Sequence, residues 1–115
     1  MARLDKPLVW LHNEVKSPPF SSGARVEIGG LLRGLQDGER LGLPHSRPMP
    51  VIGPRCHELR VMDGSVSWRL VYRLDADAVI VAAVFAKSTQ ATPLRVIRSC
   101  QERFRRYDAA VSAGE

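Results

Sequence analysis

Arginine is the side chain in this sequence best placed to do chemistry. Arg69 and Arg73 lie in the run Ser67 to Asp75, and Arg60 lies in the apolar run before it. Alternate residues of a strand point to opposite faces. Arg69, Val71 and Arg73 therefore share one face, and Trp68, Leu70, Tyr72 and Leu74 share the other. A guanidinium keeps its charge and presents planar donors that match two phosphate oxygens at once. Arginines on a strand also make ordinary solvated ion pairs, and spacing alone does not choose between the two uses.

The proton-transfer candidates are fewer. Of the histidines His12, His45 and His57, His57 lies closest to the arginines, three residues before Arg60. An imidazole there can move protons in phosphodiester cleavage. Its parity is that of Leu59 and Val61, however, opposite to Arg60, which favours a core-lining or edge position. His45 and Arg47 sit in a segment stiffened by Pro44, Pro48, Pro50 and Pro54, so their side chains are held more firmly than in an ordinary loop. His45 is either a structural hydrogen-bonding group or a border of the arginine face. Near the C-terminus Arg95, Arg98, Arg103, Arg105 and Arg106 outnumber Glu102 and Asp108. They form a solvated basic face, a contact to RNA, or a dock for an acidic partner. The sequence has no glycine-rich phosphate loop, no Ser/His/Asp order and no zinc-ligand spacing. No metal or other cofactor is expected.

These residues need elements to hold them. Pro7 to His12 is short, apolar and aromatic, and predicts a first strand. Ser17-Pro18-Pro19 is a breaker, and Ser21 or Ser22 caps the helix that follows. In that helix Ile28, Leu31, Leu32 and Leu35 make one apolar stripe. Gly29, Gly30 and Gly34 weaken it and are expected to allow close packing on the sheet, while Gly38 stops it. Residues 39–54 are expected as an ordered loop. Cys56 to Met62, Ser67 to Asp75 and Ala78 to Lys87 read as three strands joined by short turns, an antiparallel meander. Thr92 as N-cap and Pro93 at the first helical position open the last helix. Its apolar positions are Val96, Ile97, Cys100, Phe104, Tyr107 and Val111. The expected fold is α+β, in the order β-α-loop-β-β-β-α, with both helices on one face of the sheet and the arginine face open.

The bulk numbers bound the class. The 115 residues, 44% hydrophobic and 25% charged, fit one globular domain spanning residues 1–115, with frayed ends at 1–6 and 109–115. Two cysteines, Cys56 and Cys100, sit among apolar residues and read as buried core thiols. The longest apolar run, Ala78 to Ala86, is too short to span a membrane, and no signal-peptide pattern opens the chain. A cytoplasmic protein without a membrane partner is expected. The formal charge of +5 and pI near 9.9 call for a polyanion or an acidic protein as partner.

Several segments together carry a likeness. Arg55-Cys56-His57-Glu58-Leu59-Arg60, Trp68-Arg69-Leu70-Val71-Tyr72 and Val84-Phe85-Ala86-Lys87-Ser88-Thr89-Gln90-Ala91-Thr92-Pro93 resemble the RelE/HigB superfamily of type II toxins, in its phage-derived branch. The loop Leu43-Pro44-His45-Ser46-Arg47-Pro48 is similar to that branch as well. The resemblance implies a RelE-like fold and a toxin that cleaves messenger RNA on the ribosome. In that chemistry the 2′-hydroxyl attacks the adjacent phosphate and leaves a cyclic phosphate. It also implies neutralisation by a cognate antitoxin, of helix-turn-helix type. By position, Arg69, Arg60 and Lys87 are the expected phosphate clamp. His57, Glu58 and His45 are candidates for proton transfer, and Arg73, Arg47 and Arg95 for RNA contact. Ser88 and Ala91 stand where the branch usually has lysines, which removes positive charge beside the expected site. A gyrase poison of the ParE kind on the same fold, or an inactive antitoxin-binding module, are the competing readings.

Overall fold

The computed structural model describes residues 5–11, 20–87 and 91–114. These form a five-stranded sheet and two helices. In chain order the elements are β1 (Leu8–Trp10), α1 (Ser22–Gln36), β2 (Ser46–Pro48), β3 (Cys56–Asp63), β4 (Val66–Leu74), β5 (Val79–Lys87) and α2 (Leu94–Ala113). The strands lie in the order β1-β5-β4-β3-β2. β2, β3, β4 and β5 pair antiparallel, and β1 adds to the edge of β5 in parallel. The expected α+β class and meander are thus present. The expected break at Ser17-Pro18-Pro19 and His12 lie outside the described residues.

Local chemistry explains the elements. The Ser21 hydroxyl accepts the Ala24 N–H at 3.1 Å and caps α1. Its backbone N–H also donates to Asp63 Oδ2 at 2.9 Å, a carboxylate that Trp68 Nε1 reaches at 3.3 Å. The start of α1 is thereby tied to the β3–β4 hairpin, where Phe20 meets Trp68 edge to face. Gly38, at φ +95°, turns the chain out of α1 in a conformation that costs other residues energy. Gly29 and Gly30 do not serve close packing: both are exposed, and a Cβ on either would meet open space.

The loop expected over 39–54 contains the short strand β2. Pro48 is tolerated because an edge strand does not need every N–H for its ladder.

The helices cover opposite faces of the sheet, which corrects the one-sided packing expected from the sequence. α1 lays Ala24, Ile28, Leu32 and Leu35 on Leu59, Val61, Leu70, Tyr72, Val79 and Val81. α2 lays Val96, Cys100 and Phe104 on Cys56, Val71, Ile80, Ala82 and Ala83. The reason is that neighbouring residues of β4 and β5 are both apolar, so both faces exclude water. A β-bulge beside Val71 and Tyr72 adjusts the register between these two strands. Both cysteines are buried and free. Among the described residues no helix is long and apolar enough to cross a membrane.

Candidate phosphate-binding site

Arg60 and Arg69 are direct cross-strand partners on the α2 face. Glu58, two residues before Arg60 and on the same face, is fully buried. Its Oε1 collects cations from three other strands. Arg47 Nε of β2 lies 3.2 Å away, Arg69 Nε of β4 3.4 Å, and Lys87 Nζ at the end of β5 3.9 Å. Its Oε2 accepts the Thr92 hydroxyl at 2.7 Å. Arg47, Arg69 and Lys87 thus gather around one carboxylate, and Arg60 stands opposite Arg69 beside them.

The electrostatics follow from that crowding. Burial lowers the Arg69 pKa, and Arg60 and Arg47 add to the effect while Glu58 opposes it. Burial also lowers the Lys87 pKa; Glu58 opposes this, and Arg47, Arg69 and Arg60 reinforce it. A surplus of positive charge held in a partly dry setting attracts an anion more strongly than the same charges in water. Both Arg47 and Arg69 approach Glu58 through Nε, their inner nitrogen. Only Arg47 Nε donates to the carboxylate; Arg69 Nε is buried without a hydrogen-bond partner, and Arg69 Nη1 donates weakly to the Trp68 carbonyl at 3.4 Å.

A cleft of about 310 Å³ adjoins the cluster, lined by Glu27, Pro44, His45, Arg60, Met62 and Arg69. His45 is exposed there, and its carbonyl accepts the Arg60 N–H at 2.8 Å. A nucleotide phosphate entering this cleft meets Arg60 and Arg69, with an imidazole beside them.

The other residues singled out in the sequence divide sharply. Arg47 joins the cluster. His57 lies on the opposite, α1 face, stacked on Tyr72 with centroids 5.3 Å apart. It borders a separate cleft of about 560 Å³ with Lys6, Arg40 and Arg55. Burial, and then Arg40, lowers its pKa. Its parity with Leu59 and Val61 decides this placement, and His57 stands apart from the Arg60–Arg69 cleft.

Arg73 shares a strand face with Arg69 but lies beneath α2. It grips Asp75 at 2.7 and 2.8 Å and Asp108 at 2.7 and 3.0 Å. Its guanidinium also stands 4.9 Å from the Phe104 ring centroid. Those hydrogen bonds, Asp108 first, raise its pKa. Arg73 is a clamp between sheet and helix, its guanidinium committed to Asp75 and Asp108. Arg95 is exposed on α2, beside Ala83, Phe85 and Arg103 and apart from the cleft.

Thr92 does not take the place that its position before Pro93 predicts. It was expected to cap α2, yet Pro93 occupies the cap position without a side-chain bond, and the Thr92 hydroxyl goes to Glu58 instead. Glu58 itself is too enclosed to take a proton from substrate, so its place is that of a counter-charge. Among the described residues no group of three or more His, Cys, Asp or Glu could hold a metal ion.

Comparison with known proteins adds one finding. The model of the family described as Phage derived protein Gp49-like (DUF891) matches residues 19–105. No curated protein and no solved structure gives a significant match.

Proposed function

The chain belongs to the phage-derived Gp49-like family, a toxin-like family related to the RelE/HigB toxins, and on that premise we propose that it is the toxin of a type II toxin–antitoxin pair, cleaving messenger RNA on the ribosome. The observation that carries this reading is the convergence of Arg47, Arg69 and Lys87 on one buried carboxylate, beside an open cleft lined by Arg60 and Arg69. The scissile phosphate sits against Arg60 and Arg69. The 2′-oxygen attacks phosphorus, its proton passes to the His45 imidazole, and the bond to the 5′-oxygen breaks. The departing oxygen takes a proton from water, and the hydroxide so formed takes back the proton from the His45 imidazolium, giving a 2′,3′-cyclic phosphate and a free 5′-hydroxyl.

The main contribution of the protein is fixed positive charge around the phosphorane, whose charge exceeds that of the ground state. Placement of the message is left to the ribosome, which supplies the proximity a small cleft does not. The loss of lysine at Ala91 and Ser88 leaves Lys87 and the arginines to provide that charge. The partner that restrains the toxin is a cognate antitoxin.

The test is Arg69→Ala, expressed without antitoxin. The variant is expected to fold, by circular dichroism and unfolding midpoint, and to lose growth arrest. Full growth arrest by a folded Arg69→Ala protein would contradict the assignment.

A further inference from the structure

We propose that Glu58 is the positioning residue of the cation cluster, setting where Arg47, Arg69 and Lys87 stand, and that Thr92 fixes the orientation of its carboxylate. The proposal rests on the reading of the cluster as a phosphate site, and it adds how the site is assembled from distant parts of the chain.

The geometry separates this role from both catalysis and simple ion pairing. Glu58 is fully buried, so neither RNA nor water reaches it. Its two oxygens are divided: Oε1 faces Arg47, Arg69 and Lys87, and Oε2 is committed to Thr92 at 2.7 Å. Arg47 donates Nε to it, and Arg69 Nε stands beside it as an ion pair without a hydrogen bond, so the carboxylate sets where both guanidiniums lie. Arg73, by contrast, commits Nε, Nη1 and Nη2 to Asp75 and Asp108, which leaves its guanidinium no free edge.

Without the carboxylate, mutually repelling cations would be left close together with less than their full hydration, and they would turn apart. The Thr92 hydroxyl also explains the bare start of α2: a group that usually caps a helix is spent on the site. Thr92 lies 34 residues from Glu58 in sequence, so the contact ties the beginning of α2 to the middle of the sheet.

The experiment compares wild type, E58Q, T92V and T92S. Cleavage of a message on translating ribosomes is measured across pH, and the Lys87 ammonium is titrated by side-chain NMR. E58Q keeps the shape and removes the charge; its turnover is expected to fall on the order of 10²-fold, as for a displaced reacting group. Because Glu58 opposes the lowering of the Lys87 pKa, Lys87 in E58Q should lose its proton at lower pH than in wild type. The alkaline limb of the activity profile should move the same way. T92V is expected to lose about tenfold in turnover, in line with one hydrogen bond to a charged group, and T92S to recover it.

Folded E58Q with wild-type Lys87 titration and turnover would overturn the proposal. If E58Q does not fold, T92V decides: wild-type turnover and titration in folded T92V would also overturn it. A wild-type protein that leaves messages intact would count against the RNA-cleaving reading. The Lys87 titration would then still decide the role of Glu58.

Discussion

Replacing Arg73 separates structure from chemistry on a single strand face. Arg69 and Arg73 stand two residues apart, and only the second is enclosed by partners on α2. Arg73→Ala removes two hydrogen bonds to Asp75 and two to Asp108, and it uncovers the Phe104 ring. Asp108 is 57% exposed, so that arm counts little in water. The largely buried Asp75 arm and the cation–ring contact dominate, for a cost of about 2–4 kcal/mol.

For a domain of this size that loss lowers the thermal midpoint by roughly 8–16 °C, and urea unfolding followed by circular dichroism gives the free energy directly. Arg73 also holds the Asp108 carboxyl below its ordinary pKa. A depressed carboxylate contributes stability above its unfolded value, and that contribution fades as pH falls through the folded one. The small Asp108 share of the gap between wild type and Arg73→Ala should therefore be present near neutrality and fade below the usual carboxylate range. A loss under about 1 kcal/mol, or a gap that widens with acid, would refute the clamp.

Two further predictions concern the scaffold. Gly29→Ala, on an exposed helical position with open space at its Cβ, should stabilise the protein by about 0.5–1 kcal/mol, whereas Gly38→Ala, at φ +95°, should destabilise it by about 1 kcal/mol; equal signs in urea unfolding would contradict the description of α1. Burial pushes the Cys56 thiol up to about 11 and the Cys100 thiol up to about 12, so an aromatic disulfide reagent at pH 8 should titrate both only after denaturation, and prompt reaction of the native protein would contradict their burial.

The strands and the arginine faces were legible because alternation along a strand is a direct consequence of backbone geometry. That alternation set His57 against Arg60, and the cross-strand register then placed Arg60 opposite Arg69. Two-sided burial was legible in principle: the run Val79-Ile80-Val81-Ala82-Ala83-Val84-Phe85 is apolar without alternation, the mark of a strand covered on both faces.

What local sequence does not carry is the meeting of distant residues. Arg69 and Arg73 have equal local patterns, and only the path of α2, which brings Asp108 onto Arg73, distinguishes clamp from site. Thr92 before Pro93 reads as a cap from its neighbours alone. A buried carboxylate 34 residues earlier competes for its hydroxyl and wins, because an unpartnered Glu58 oxygen would be costlier than an uncapped helix end that water can reach.

The proposed reaction of the Arg60–Arg69 cleft is RNA cleavage. The most direct measurement maps message ends after brief induction without antitoxin, in wild type and in Arg69→Ala. The wild-type protein should produce new 5′-hydroxyl ends inside translated frames, matched by upstream fragments ending in 2′,3′-cyclic phosphate, and Arg69→Ala should produce neither. Intact messages accompanied by double-strand breaks in DNA would contradict the account and point to gyrase as the target.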